Sequence, residues 1–390
     1  MRKLFFIFTV CVSITTSIAQ NFNWNQYIQQ NYPTGIAFDN NDTMWYIVQG
    51  TGLFEKSGSS LVDHSSGLVT TNIVSVSYDG SNIWVSGYGG VSMFDGTNYT
   101  NYDISTYFDD YGILDIDSKN EVWVVQEGYG ASFFNGSNWT DYTSADGILG
   151  NYFTGLCKNQ AGHIFVISSD YNNNKGFVNV FDGTNWTTYD STSSMIVTYP
   201  SSVYCDASNN IWVGGDNALA KFDGTNWTTV VTRPENDNVE IVSITEDASG
   251  NIWFAEKNGG GIYYYNGSAV VNTNAPENFC GKAKGIVGDS NGNVFVCLNS
   301  GIYKVDVVTS VNTITDNEAS IYPNPFNSEI NIDLKNKQDI VDVKITTISG
   351  KEIISNVYCN ANHISINLDK LEKGIYFLNV NNHIKKIIKD

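Results

Sequence analysis

The side chains that could do chemistry in this chain are few and scattered. Of four histidines, only His64 and His163 precede residue 306. Neither has a second histidine near it, as a metal pair or a proton shuttle would need. No Gly-x-Ser-x-Gly elbow is present. The densest carboxylate run is Asp115, Asp117, Asn120 and Glu121. It lacks the spacing and the glycine of an EF-hand loop, so turn capping is the favoured reading. No cofactor and no metal site are expected, and calcium is the one cation those oxygens would suit. Five cysteines follow the first twenty residues: Cys157, Cys205, Cys280, Cys297 and Cys359. Their spacing fits no zinc pattern, so buried free thiols are expected, with Cys280 and Cys297 the pair to test first. The chain leans away from catalysis, and no catalytic residue is assigned. What remains is tyrosine and acid: Tyr88, Tyr107, Tyr129, Tyr152 and Tyr171, with Asp109, Asp110, Tyr111, Asp146, Asp170, Asp216 and Glu256. Rigid amphipathic rings beside carboxylates suit a sugar or a peptide.

Which of these residues can meet depends on the elements that carry them. An apolar run ending at Asp, a turn of Asn, Gly and Ser, and a strand centred on Trp or Phe recur along the chain. The anchors are Trp45, Trp84, Trp123, Phe165, Trp212, Trp253 and Phe295, spaced by 39 to 47 residues. A second signature, Phe-Asp-Gly-Thr-Asn-Trp, stands at 181–186 and 222–227, with variants at 94–99 and 134–139. Asp-Gly marks a hairpin, so the Asn-x-Thr triplets at Asn98, Asn138, Asn185 and Asn226 are hairpin residues. A period near 40 with four strands per repeat predicts an all-β, seven-bladed β-propeller over 20–306. Inner strands begin near Gly35, Val74, Gly112, Thr154, Ser202, Ile241 and Gly285. Only six fourth strands follow them. The missing one stands at the other end, where 21–27 resembles 136–142, so the N-terminal strand 21–28 is expected to close the seventh blade.

In such a ring the loops joining the second strand to the third, and the fourth to the next first, share one face. That places Tyr88, Tyr129, Tyr171, Asp216, Glu256, Tyr107, Asp110 and Tyr111 there, as a candidate ligand site for a glycan or a peptide. The repeat, best seen from Asp247 to Tyr263, resembles the two-component regulator propeller repeat. That likeness implies the fold; with no membrane helix or kinase following, it does not carry a signalling role.

Residues 1–19 read as a signal peptide: Arg2 and Lys3, an apolar run from Leu4 to Val12, then Ser17-Ile18-Ala19. The run is too short to span a bilayer, and no transmembrane segment is expected. Residues 307–318 break the repeat and read as a linker. From 319 to 390 come alternating segments at 329–334, 340–348, 352–358, 363–368 and 374–380, and a basic strand ending Lys385, Lys386 and Lys389. They predict a small antiparallel, Ig-like β-sandwich. Tyr322-Pro323-Asn324-Pro325-Phe326, the turn at Gly350, Gly374-Ile375-Tyr376-Phe377-Leu378 and the basic tail resemble the type A C-terminal sorting domain of the type IX secretion system. The resemblance implies a Bacteroidetes-like source, passage through the periplasm, and a secreted or outer-membrane surface-attached product. Its sorting residues would be Tyr322, Pro323, Asn324, Pro325, Gly350, Gly374, Lys385 and Lys386. Its partners would be the export machinery and possible surface lipopolysaccharide.

Net charge is −19, with +2 on residues 1–20 and +1 on 319–390, leaving −22 on the body. A body so acidic repels phosphate backbones, which excludes nucleic acid as a partner class. The sequence therefore reads as an exported, non-enzymatic binding or scaffold propeller. The alternative is a secreted hydrolase or lyase with its site at one mouth of the channel.

Overall fold

The computed structural model describes residues 21–108, 112–118, 121–193, 195, 197–216, 218–232, 240–257, 261–282, 284–308, 319–347, 351–380 and 383–390. Two compact units separate, 22–306 and a second containing 307–390.

The larger unit is seven four-stranded antiparallel sheets. Their inner strands are Pro33–Phe38, Ile73–Tyr78, Ile113–Asp117, Tyr152–Lys158, Pro200–Cys205, Ile241–Glu246 and Ile286–Gly288. Each packs on the next, and Ile286–Gly288 packs back on Pro33–Phe38, so the unit is a closed propeller. Six sheets are continuous in sequence. The seventh takes Ile286–Gly288, Val294–Leu298 and Gly301–Val308 from one end and Asn21–Gln29 from the other. Closure removes the open ends that a row of sheets would expose.

The repeat's side chains explain its turns. Asp247 accepts backbone N–H bonds from Ser249 and Asn251, and its other oxygen accepts the Trp253 indole N–H at 3.1 Å. Asp79 and Trp84, Asp206 and Trp212, and Asp39 and Trp45 repeat the arrangement. Where Phe replaces the tryptophan, at Phe165 and Phe295, Asn159 or Asp289 binds only its own turn. The hairpin glycines Gly96, Gly136, Gly183 and Gly224 sit at φ of 92–97°, which a side chain would strain.

Aromatic rings join the blades. Tyr102, on an outer strand, meets Phe134 and Trp139 of the next blade at 5.1 and 5.6 Å. Tyr142 meets Phe181 and Trp186 in the same way, and Tyr189 meets Phe222 and Trp227. The buried indole N–H groups of Trp139, Trp186 and Trp227 lack hydrogen-bond partners. Each of these indoles lies edge-to-face with its tyrosine, a favoured aromatic geometry. In the first blade His64 takes the tyrosine's place, between Trp45 and Phe94, with Nε2 2.9 Å from Glu55.

Two of the cysteines depart from the expected free thiols. Cys157 and Cys205, on adjacent inner strands with Cα atoms 5.9 Å apart, form a disulfide, while Cys280 and Cys297 are free thiols. The reason is register: the bonded pair faces across two neighbouring blades, whereas the Cys280 thiol donates to the Pro33 carbonyl. Closing a loop of this length constrains the unfolded chain by about 2–4 kcal/mol.

Among its described residues the second unit has five strands, Ala319–Tyr322, Glu329–Thr347, Glu352–Asn367, Gly374–Val380 and His383–Lys389. The segments expected at 329–334 and 340–348 are one long strand, and those at 352–358 and 363–368 another. A register shift between Asp333 and Gln338 bends the pair rather than breaking it. All five strands join in one sheet, and its core includes Phe326, Ile330, Ile332, Val343, Ile345 and Leu378.

Candidate functional site

The best-furnished surface of the propeller is the face carrying the loops between second and third strands. In several blades the residue just after the second strand is pinned by its backbone N–H to the segment before the inner strand. Tyr88 donates to Asn72, Glu127 to Gly112, Asp216 to Tyr199 and Lys257 to Glu240. Equivalent positions of successive blades therefore line one rim.

On that rim Tyr171 stacks on Tyr199 with ring centroids 4.9 Å apart, and Tyr152 meets Tyr171 edge-on at 5.4 Å. The Tyr199 hydroxyl donates to Asn174 at 2.6 Å. Tyr88 packs over Gly112, where a Cβ would collide with its ring. Carboxylates surround these rings. Burial raises the pKa of Tyr152, and Glu127 and Glu240 add to it. Burial raises Tyr171 too, followed by Glu240 and Asp216. Asp216 itself is held above the ordinary carboxylate range, first by burial and then by Glu240. The Lys257 ammonium sits 3.3 Å from the Glu240 carboxylate. Half-exposed rings ringed by negative charge attract a cation over their faces and cost an anion its approach.

The expected site residues divide accordingly. Tyr88, Tyr171 and Asp216 come together, joined by Tyr152. Tyr129 lies half-buried in the turn after Gln126. Tyr107 is exposed on the short helix Ile104–Tyr107 and meets Tyr102, away from the stack. Asp110 and Tyr111 lie outside the described residues, as do Asp109 and Asn120. Asp146 caps its own turn by accepting from Thr143. Glu256 is a correction: it is buried, 2% exposed, because the strand Ile252–Glu256 runs through it and the turn starts at Lys257. Glu127, Tyr199 and Glu240 were missed. Glu127 was legible, since it occupies the repeat position of Tyr88 and Asp216.

His64 and His163 stand apart from this rim, His64 between aromatic rings and His163 in the turn capped by Asn159. Among the described residues no group of three or more His, Cys, Asp or Glu converges as a metal site.

One more ionisable group lies at the ring's centre. Five inner strands carry Gly35, Ser75, Gly155, Ser202 or Ser243 just past a bulge, and the third carries Asp115. Asp115 is buried. It accepts from Ser75 Oγ at 2.7 Å, from its neighbour Ile116 N–H and, across the blade junction, from Leu156 N–H. Burial raises its pKa against the opposing pull of Lys284.

In the second unit several of the residues expected to act in sorting are physically linked. Asn324 donates through its side chain to the Lys386 carbonyl and accepts from the Ile388 N–H, both at 2.9 Å. Phe326 extends the clasp by donating its N–H to Ile388 and accepting from Asp390. The Lys389 ammonium lies over the Phe326 ring at 5.6 Å. Both peptide bonds into Pro323 and Pro325 are cis, and the Tyr322 hydroxyl bonds Asp333 at 2.6 Å. Gly374 begins the strand that pairs with the tail. Lys386 is exposed opposite Phe377. Gly350 lies outside the described residues.

Residues 320–390 match the family described as Secretion system C-terminal sorting domain. No curated protein sequence matches the chain. Among solved structures, a streptogramin B lyase is similar with TM-score 0.60 at 16% identity, over 74% of this chain and 98% of that one. The extracellular domain of the putative hybrid two-component system BT3049 from B. thetaiotaomicron gives 0.61 at 15%, over 95% and 57%. PorZ of Porphyromonas gingivalis, a surface component of the type-IX secretion system, gives 0.56 at 14%, over 94% and 60%. The chain thus spans less than two thirds of the last two proteins. At these identities the likeness establishes the propeller fold. The sorting domain establishes type IX export to the cell surface or beyond. Among the described residues no helix is long and apolar enough to cross a membrane.

Proposed function

We propose that this protein is a displayed, non-enzymatic binding module whose tyrosine rim captures peptide segments bearing lysine or arginine. The observation that carries this reading is the run Tyr199, Tyr171 and Tyr152 enclosed by Glu127, Asp216 and Glu240. Stacked rings offer faces for a guanidinium or ammonium, and the acids add long-range attraction on a body of charge −22. The test is titration of the purified protein with a lysine- and arginine-rich peptide and a glutamate-rich control at two salt concentrations. The basic peptide should bind, more weakly at high salt, and Tyr171→Ala should weaken it by about tenfold, the worth of one such contact. Equal binding of both peptides, or no effect of Tyr171→Ala, would reject the reading. Lowering pH should weaken binding from a higher pH than an ordinary carboxylate would dictate, since Asp216 protonates early.

A further inference from the structure

A concavity lies at the seventh blade, between its Asn299–Ser300 turn, the segment that enters it from the sixth blade and the segment that leaves it for the first, and its chemistry differs from that of the rim. Its volume is about 610 Å³, and it is lined by Asn31, Tyr32, Glu277, Asn278, Asn299 and Ser300. We infer that this cleft is a carbohydrate-binding site for a neutral oligosaccharide, with the Tyr32 ring as the platform on which a sugar stacks.

The argument starts from Tyr32. The residue is 62% exposed, the highest value among the exposed large hydrophobic residues described. Its backbone sits at φ +53°, a region that a bulky residue occupies at a cost. The position is not loose, because the Tyr32 N–H donates to the Asn299 carbonyl at 3.0 Å and the Gln30 N–H to Ser300 at 3.1 Å. The chain thus holds a large ring in water, at a backbone geometry that glycine would take without strain. Apolar burial cannot explain that choice.

The surrounding groups suit hydroxyls rather than charge. The side-chain amides of Asn31, Asn278 and Asn299 make no hydrogen bond among the described residues. An amide offers a donor and an acceptor side by side, which matches two adjacent hydroxyls of a pyranose. Glu277 is the one carboxylate. Its oxygens accept from Ser300 N–H and Oγ at 2.8 and 2.6 Å, and from the Tyr303 hydroxyl at 3.3 Å. Fixed in place, it can accept a further hydroxyl and orient the ligand. Pro276 adds an apolar wall. Among the described residues no lysine, arginine or histidine lines the cleft to neutralise an anionic sugar, and Glu277 would repel one. An aromatic face with convergent amides and a single oriented acid is a recognition set for a neutral polyol, whose C–H face stacks while its rim of hydroxyls bonds.

The test is an array of neutral glucans, mannans, galactans and xylans probed with the purified full protein, followed by calorimetric titration of each hit. At least one neutral oligosaccharide should bind. Tyr32→Gly should weaken it at least about tenfold, the loss of one stacking face, with the melting temperature held or raised because glycine accepts this φ. Asn278→Ala, on an exposed side chain that no fold contact uses, should weaken the same ligand by several-fold. Tyr171→Ala should leave sugar binding unchanged, just as Tyr32→Gly should leave basic-peptide binding unchanged, so the two sites fail separately. A silent array, a hit indifferent to Tyr32→Gly, or a hit abolished by Tyr171→Ala instead would each overturn the assignment.

Discussion

Asp115 shows how one side chain can carry a pH dependence into a repeat built mostly without charge. Its counterparts just past the inner-strand bulges are glycine or serine, and it alone must desolvate a carboxylate. Three hydrogen bonds reduce that cost without cancelling it, so its pKa lies above 3.8 in the folded state. A carboxyl raised on folding binds more protons native than unfolded in the window from 3.8 up to its folded value. Stability from this group is therefore present below 3.8 and declines as pH rises through that window. Asp115→Asn removes the titration, so the melting temperature of the variant minus that of the parent should increase from pH 4 to pH 7. A difference that stays flat, or falls, would show that Asp115 is not held protonated-prone by burial. The residue was legible as part of an acidic run, but only as a turn cap. Its burial comes from the closure of the ring around it, which no local pattern contains. The same holds for the rim. Tyr88 and Tyr171 could be placed from repeat topology, whereas Tyr199 and Glu240 precede inner strands in segments of irregular length. Glu256 went the other way, since one more strand residue turns an expected loop acid into a buried one.

At the level of elements, the strand most worth removing is Asn21–Gln29. It supplies the outer edge of the seventh sheet and fastens two neighbours. Ile28 is buried, Phe22 meets Trp253 at 5.5 Å in the sixth blade, Tyr27 meets Phe295 at 5.2 Å, and the Trp24 indole donates to Thr273 at 3.1 Å. Burying Ile28 contributes on the order of 1.5–3 kcal/mol, and the half-buried rings of Phe22 and Trp24 contribute a smaller share each. Deleting 21–28 should therefore cost several kcal/mol and lower the denaturant midpoint of the whole propeller, measured by tryptophan fluorescence. A variant that melts with the parent would mean the strand is an ornament on a ring already closed by its inner strands. The blade repeat was readable because each Asp and Trp pair performs a local task within a few residues. The Cys157 to Cys205 bridge was not, because its geometry depends on the distance between blades. The sorting unit's strands were found in place but cut too often, since a bulge and a turn look alike in an alternating pattern.

Across the whole chain, the propeller and the sorting unit divide labour between what is presented and where it goes. The sorting unit's motif residues do not form a linear tag. Asn324, at the front of the unit, bonds both Lys386 and Ile388 at its end, so Tyr322 to Phe326 and the basic tail are one folded surface. Export should then depend on fold as well as on sequence. Truncation of 319–390 should leave the propeller in the periplasm, scored by fractionation and by protease accessibility of intact cells. Asn324→Ala, which keeps every lysine, should shift part of the protein to the same fraction because the terminal strand loses two hydrogen bonds, a cost of about 1–3 kcal/mol. Replacing Lys386 by Gln leaves those backbone bonds intact and tests charge alone. Retention by Asn324→Ala with normal export of Lys386→Gln would place recognition in the folded clasp. The reverse result would place it in the charge of the tail. Normal surface display after truncation would refute the dependence on this unit altogether.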